Sequence, residues 1–383
     1  MKLILLKTLI IVFLPIALLA QKNYKTISSE DSTKIYFGGI QHQVITFQEP
    51  VTNAKPKNVI LMIGDGMGVT QIYAAMTANG GQLYMNNFKN IGFQTTFSAN
   101  NYITDSGAAG TALATGKKTY NGAIGVDTDT IPIQNIREKC EALGLATGVV
   151  STSAVTHATP ASFVAHQKSR NYYEAIAADF LKTNIDVFIG GGYKHFTQRA
   201  DGQDLTVELK TKGYEVATSL DEVVKVKEGK LAGLIAPEHL PSVIEGRGED
   251  LKIATHTALN ILSNDEDGFF IMIEGSQIDW GGHEKNTPYI VTEVLDFNKA
   301  IGEALAFAAK NEETLVIVTA DHETGGFAIH GGNIEKGQIK GEFTLGDHTA
   351  VMVPVFAFGP GAQLFNGFYD NTDIPKKIMS LLE

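Results

Sequence analysis

Short, continuous apolar runs recur along this chain: Asn58–Ile63, Thr147–Thr152, Asp186–Ile189, Phe269–Ile273, Thr314–Thr319 and Pro354–Phe358. They are rich in β-branched residues and show no regular polar alternation. A strand with one wet face would alternate with period two, so runs of this kind suit strands covered on both faces. Helix-like segments lie between them, at Ile133–Leu143, Tyr172–Leu181, Leu251–Leu262 and Ile290–Ala309. Strand and helix in alternation imply an α/β fold, a three-layer sandwich whose central, mainly parallel sheet is flanked by helices. Ligands gather at the carboxyl ends of the strands in such sheets.

A chain of 383 residues, 44% hydrophobic, is long enough to bury a substantial core. Residues 1–20 read MKLILLKTLIIVFLPIALLA: two lysines, a long apolar stretch and a small residue at the end. This pattern predicts a signal peptide cut near Ala20, and so a periplasmic or secreted protein. No later run reaches the roughly 18 apolar residues that a membrane span needs, so no membrane attachment is expected after cleavage. Residues 21–56 are expected to form a loose polar lead-in and residues 57–383 a single α/β domain. Within it, 194–247 is Lys-rich and weakly periodic and reads as a surface insertion; Gly331–Gly341 reads as a loop. The single cysteine, Cys140, falls in a predicted helix and is read as a core residue. The net charge of -11 argues against a nucleic-acid-binding surface but allows a locally positive pocket.

Polar residues cluster where the runs end. Asp65 follows Asn58–Ile63 within Gly-Asp-Gly-Met-Gly, a loop lacking the Lys-Ser/Thr pair of a phosphate-binding P-loop. Glu274 follows Phe269–Ile273, and Asp279 and His283 stand four apart beyond it, one turn on a helical face. Asp321 and His322 follow Thr314–Thr319, and His348 precedes another strand. Such groups beside a buried strand are costly unless paired or ligated, and Asp, Glu and His are ligands for Zn²⁺ and Mg²⁺. An Asp–His pair activating a serine is the rival reading, but too many acidic groups and histidines converge for a simple triad. Ser106 opens a small-residue helix, where free N–H groups favour a phosphate; an ordinary N-cap is its alternative role. Thr159-Pro160 resembles a helix start. Arg170 offers a guanidinium that can hold phosphate in a forked way, or a surface salt bridge. His157 lies within reach of a metal, while His166 is expected to pack within the helix.

Taken in order, several blocks resemble the alkaline phosphatases: Gly-Asp-Gly-Met-Gly, Thr-Asp-Ser-Gly-Ala-Ala-Gly-Thr-Ala, residues 118–127, Thr-Pro…Arg, Glu-Gly-Ser-Gln-Ile-Asp…His and Thr-Ala-Asp-His-Glu-Thr-Gly-Gly. The resemblance runs from about Lys57 to Gly361. It implies Ser106 as nucleophile and Arg170 as phosphate clamp. It implies one Zn²⁺ on Asp279, His283 and His348, and a second on Asp65, Asp321 and His322. A third ion, usually Mg²⁺, is implied on Asp65, Thr159 and Glu274. His157 stands where some members carry Asp, which puts the third ion's identity in doubt because imidazole suits Zn²⁺ better. Trp280 stands where some carry Lys or His, which removes a positive contact to phosphate.

The implied activity is hydrolysis of small phosphate monoesters through a phosphoserine. A phosphodiesterase or sulfatase on the same architecture is the alternative enzyme, and a non-catalytic zinc- or phosphate-binding protein the alternative from another class. Relatives are commonly homodimers, though no residue here establishes that.

Overall fold

The computed structural model describes residues 31–50 and 54–383. The expected signal peptide lies outside them. Among the described residues no helix is long and apolar enough to cross a membrane.

Ten strands form the main sheet. Their spatial order is Gly367–Asp370, Asn90–Thr95, Val353–Phe358, Thr314–Thr319, Asn58–Gly64, Phe269–Gly275, Ala146–Ala154, Val187–Gly191, Lys230–Ala236 and Tyr214–Ala217. From Thr314–Thr319 to Tyr214–Ala217 every pairing is parallel. Only Val353–Phe358 runs against both of its neighbours.

The central strand explains the apolar runs. Val59, Leu61 and Ile63 enter one core and Ile60 and Met62 the other, all fully buried. Side chains still alternate with period two, but both faces are covered, so both must be apolar. Helices Val69–Ala78, Asp250–Leu262 and Thr287–Asn311 fill one face, and Ser106–Thr115, Ile136–Ala142 and Asp373–Leu382 the other. This is the expected three-layer α/β sandwich. Cys140 lies in the second core, and burial pushes its thiol up to about 12.

Three segments differ from expectation. Residues 194–247 expose much of their surface, as expected of an insertion, but they are also part of the main sheet. They contribute Tyr214–Ala217 and Lys230–Ala236 to the sheet edge, joined by the short helix Leu220–Val223. An edge strand needs less apolar cover, so its sequence carries a weaker signal. Residues 331–341 belong to a hairpin of Phe327–Asn333 and Gln338–Phe343, not a loop. The polar lead-in is docked where it is described. Asn79 and Asn87 side chains pair with the backbone of His42, Ile45 and Phe47, and Thr33 accepts from Thr287 N–H.

Candidate active site

The strand ends deliver their polar residues to one rim. Asp65, Glu274, Asp321 and His322 are all fully buried there. Gly66 has φ +74°, and a Cβ on it would meet the Asp279 Cα at 2.7 Å, so glycine lets the Asp65 loop close over the next element. Asp279 and His283 do share one helix, Gln277–His283. The two glycines between them allow close contact: a Cβ at Gly281 would meet Ile290 N, and one at Gly282 the Thr324 carbonyl, each at 2.8 Å.

Ser106 is the first residue of helix Ser106–Thr115, and its neighbour Asp105 is the N-cap, accepting from Ala108 N–H at 2.9 Å. The Ser106 hydroxyl is thus free of capping and lies 3.3 Å from His322 Nε2. Asp321 Oδ2 lies 3.2 Å and Asp65 Oδ1 3.5 Å from that same nitrogen. One imidazole proton cannot serve three oxygens. In a serine triad the carboxylate would bind the far ring nitrogen, yet His322 Nδ1 faces the Thr324 hydroxyl at 3.2 Å. The triad geometry is absent, and the convergence is what a cation would satisfy.

A second convergence stands beside it. His348 Nδ1 donates to the Thr104 carbonyl at 2.8 Å and His283 Nδ1 to the Gly346 carbonyl at 3.0 Å. With those protons placed, each ring has only Nε2 left for a ligand, the two nitrogens 3.2 Å apart; with no cation there, Asp279 favours a second proton and holds His283 up at about 9. Asp279 reaches both, at 3.3 Å to His283 and 3.5 Å to His348. Asp279, His283 and His348 present ligand atoms within 4.8 Å of one another; so do Asp65, Asp279 and His322. Asp279 therefore stands between two candidate metal positions.

At a third corner Thr159 donates to Asp65 Oδ2 at 3.4 Å. Its helix begins at Ala158 with His157 as N-cap, so Pro160 is the third helical residue and not the first. Glu274 Oε2 accepts from the hydroxyls of Ser151 and Ser276, each at 2.6 Å. Those serines carried no signal in the sequence. Arg170 donates to Asp105 Oδ2 at 2.9 Å, and its other terminal nitrogen lies 3.3 Å from His157 Nε2. A guanidinium only donates, so that imidazole nitrogen accepts. Asp105, unassigned by the sequence, thus holds both the Ser106 helix and Arg170. His166 lies beyond the helix and bonds Gly125 and Glu138.

The electrostatics mark the site as incomplete without cations. Burial, then repulsion from Asp321, Asp279 and Glu274, pushes the Asp65 carboxyl well above its usual range. Burial and Asp279 push Asp321 up to about 7. Burial raises Glu274 against the pull of its serine hydroxyls. Asp65 Oδ1, Asp321 Oδ2 and Glu274 Oε1 are buried without a protein hydrogen-bond partner. Unpaired buried acceptors of this kind fit divalent metal ions. Trp280 stands half-buried at the edge of the site, its ring 6.1 Å from His157.

The chain is similar to known proteins in sequence and fold. Residues 56–342 match the family model described as alkaline phosphatase. Alkaline phosphatase 3 of Bacillus subtilis (strain 168) is 33% identical, over 97% of this chain and 96% of the relative. Streptomycin-6-phosphate phosphatase of Streptomyces griseus is 31% identical, over 84% of this chain and 89% of its own. The solved alkaline phosphatase from the Antarctic bacterium TAB5 is 42% identical with a TM-score of 0.81, covering 86% of this chain and 99% of that one. A histidine-to-aspartate variant of that enzyme is described with Mg bound in its M3 site. Sequence matches that span most of both chains, together with a shared architecture, place this chain in the alkaline phosphatase family.

Proposed function

We propose that the enzyme hydrolyses phosphate monoesters to an alcohol and inorganic phosphate, through a phosphoserine on Ser106. The observation that carries this is the meeting of unpartnered buried acceptors beside the Ser106 hydroxyl. Asp279, His283 and His348 would hold one zinc ion, and Asp65, Asp321 and His322 a second. Asp65, Thr159 and Glu274 would hold a third ion. Bound there, the ions would supply Lewis-acid stabilisation of the serine alkoxide, the departing oxygen and an attacking water.

The chain's own groups do the rest. Ser106 Oγ forms a bond to phosphorus while the ester P–O bond breaks, and the hydroxyl proton ends on the departing oxygen to give the alcohol. A water then cleaves the phosphoserine and restores the hydroxyl. Arg170, steadied by Asp105, grips the non-bridging oxygens with its forked N–H groups. The free N–H groups at the start of the Ser106 helix add positive potential.

His157 gives its Nε2 lone pair to Arg170, so it serves the clamp. The third position is left with oxygen donors alone, a set that suits Mg²⁺. The solved structures described with Mg in an M3 site carry aspartate or glutamate in place of a histidine, so the Mg²⁺ assignment rests on the oxygen donors of this chain alone. The relative named for streptomycin-6-phosphate, a monoester, supports the substrate class. With residues 1–20 read as a signal peptide, the enzyme would act outside the cytoplasm on small substrates.

Metal analysis paired with aryl phosphate turnover tests the reading. Purified protein should contain zinc and magnesium. Chelation should abolish turnover, and zinc with magnesium should restore it. A Ser106→Ala variant should keep its metal and lose at least about a thousandfold in rate. Full turnover after complete metal removal would exclude the mechanism. Faster cleavage of bis-aryl phosphate or aryl sulfate would move the chain to another activity of this architecture.

A further inference from the structure

The loop after strand Lys230–Ala236 reaches the phosphate side of the site. It carries His239, a half-buried residue with no motif around it. Three rings meet there nearly at right angles. His239 and Trp280 have centroids 4.8 Å apart at 77°, His239 and His157 5.4 Å apart at 89°, and His157 and Trp280 6.1 Å apart at 88°. Edge-to-face contacts of this kind fix ring orientation. His157 in turn accepts from Arg170. His239 therefore backs a ring that holds the guanidinium, and a second ring at the edge of the site.

The loop is fastened on several sides. His239 Nδ1 accepts from Ala154 N–H at 3.0 Å, at the end of a central strand. Leu240 N–H donates to the Thr152 carbonyl at 3.2 Å, and the Leu240 carbonyl accepts from Gln277 Nε2 at 2.8 Å. Gln277 opens the helix that carries Asp279, Trp280 and His283. Glu238 pairs with Lys194 and, at 3.0 Å, with His195. His195 Nδ1 is 2.6 Å from the Thr156 hydroxyl, next in sequence to His157. So many ties around one ring are more than a solvent loop needs.

We infer that His239 is a positioning residue of the phosphatase site: its ring holds His157 against Arg170 and sets the orientation of Trp280. This rests on the phosphomonoesterase reading above. Its ordinary alternative is a loop tie, in which only the bond to Ala154 N–H matters. The two roles separate chemically. His239→Asn keeps an acceptor for Ala154 and removes the ring. His239→Phe keeps a ring and removes the acceptor.

Trp280 is the chain's single tryptophan, so its emission reports this contact without background. In metal-loaded His239→Asn the emission maximum moves to longer wavelength as water replaces the ring. KM for an aryl phosphate and the inhibition constant for inorganic phosphate rise together, roughly three- to tenfold. kcat stays within about twofold, because the loss is in holding phosphate before and during reaction alike. His239→Phe returns emission, KM and the phosphate constant to within about twofold of the parent. Thermal melting confirms that both variants fold. If Asn behaves as the parent, or if Phe fails to rescue while it folds, His239 is a loop tie and the inference fails. A parent protein without phosphatase turnover would instead sink the underlying reading, while the emission shift still reports the ring contact.

Discussion

Arg247 and Asp321 are both charged groups sealed from water, but the protein treats them in opposite ways. Arg247 lies between Glu293 and Asp296, with 2.8 Å to Asp296 Oδ2. It also donates to the Pro241 carbonyl at 3.0 Å, and Glu293 accepts from Val243 N–H at 2.8 Å. The protein supplies both signs of charge. Asp321 has N–H donors from Gly66 and His322, but the carboxylates around it repel it. Arg170, the cation nearest in role, is tied to Asp105. A buried charge with a built-in counterion belongs to the architecture. A cluster of like charges without one is a receptor for a cation from outside.

The largest effect should fall on the cluster with a built-in counterion, even though Arg247 Nε and Asp296 Oδ1 have no protein partner and burial raises Glu293 to about 7. Arg247→Met leaves two buried carboxylates without their partner and should cost about 3–5 kcal/mol. The urea midpoint would fall steeply, while metal content per folded chain stays the same. Replacing Arg247, Glu293 and Asp296 together by Met, Leu and Leu should recover most of that loss. If Arg247→Met costs less than about 1 kcal/mol, the cluster is not holding its charges as an ion pair, and the contrast collapses.

The incomplete cluster should respond with the opposite sign. Asp321 has a folded value of about 7 against an ordinary 3.8. Between those values the folded chain holds more protons than the unfolded one. Metal-free stability therefore falls as pH rises through that window. Asp321→Asn removes this slope and should stabilise the metal-free protein at pH 8 by on the order of 2 kcal/mol. In the metal-loaded protein the same change should weaken zinc retention and turnover. Denaturant midpoints at pH 5 and pH 8, with and without chelator, read both signs. Destabilisation of the metal-free form would mean that Asp321 is an ordinary structural carboxylate.

The same contrast explains what could be read ahead of the structure. Asn58–Gly64 and Thr314–Thr319 announce themselves because both faces are buried, which leaves no polar residue in the run. Tyr214–Ala217, with Glu215 exposed at the sheet edge, has no such constraint. Asp65, Glu274 and Asp321 are legible because a charge directly after a buried strand needs a reason. Asp105, Ser151 and His239 are not. Each is an ordinary polar residue whose partner lies far along the chain, so only tertiary contact gives it meaning. Thr324 is similar: its hydroxyl donates to Asp279 and also faces His322, joining elements 45 residues apart.

His166 falls between the two kinds of cluster, and its effect should be the smallest. Its ring faces two acceptors, the Gly125 carbonyl at 2.6 Å and Glu138 at 2.9 Å. Both can be satisfied only when the ring is protonated. Burial opposes that charge, but the Glu138 and Gly125 bonds, with Asp179 nearby, outweigh it and raise the ring above its usual 6.5. Arg137, 3.6 Å from Glu138, competes for the same carboxylate. A raised imidazole contributes its stability in full below about 6.5 and loses it as pH climbs through the folded value. His166→Gln should therefore cost about 1 kcal/mol at pH 6 and only a few tenths at pH 9, read from urea midpoints. The variant is a cost where Asp321→Asn is a gain, but both fare better against the parent as pH rises, because both parent groups have raised folded values. A penalty equal at both pH values would mean that the ring is held neutral, with one acceptor left unserved. A paired and an unpaired buried group would then coexist in one residue, and charge balance alone could not sort structural clusters from functional ones.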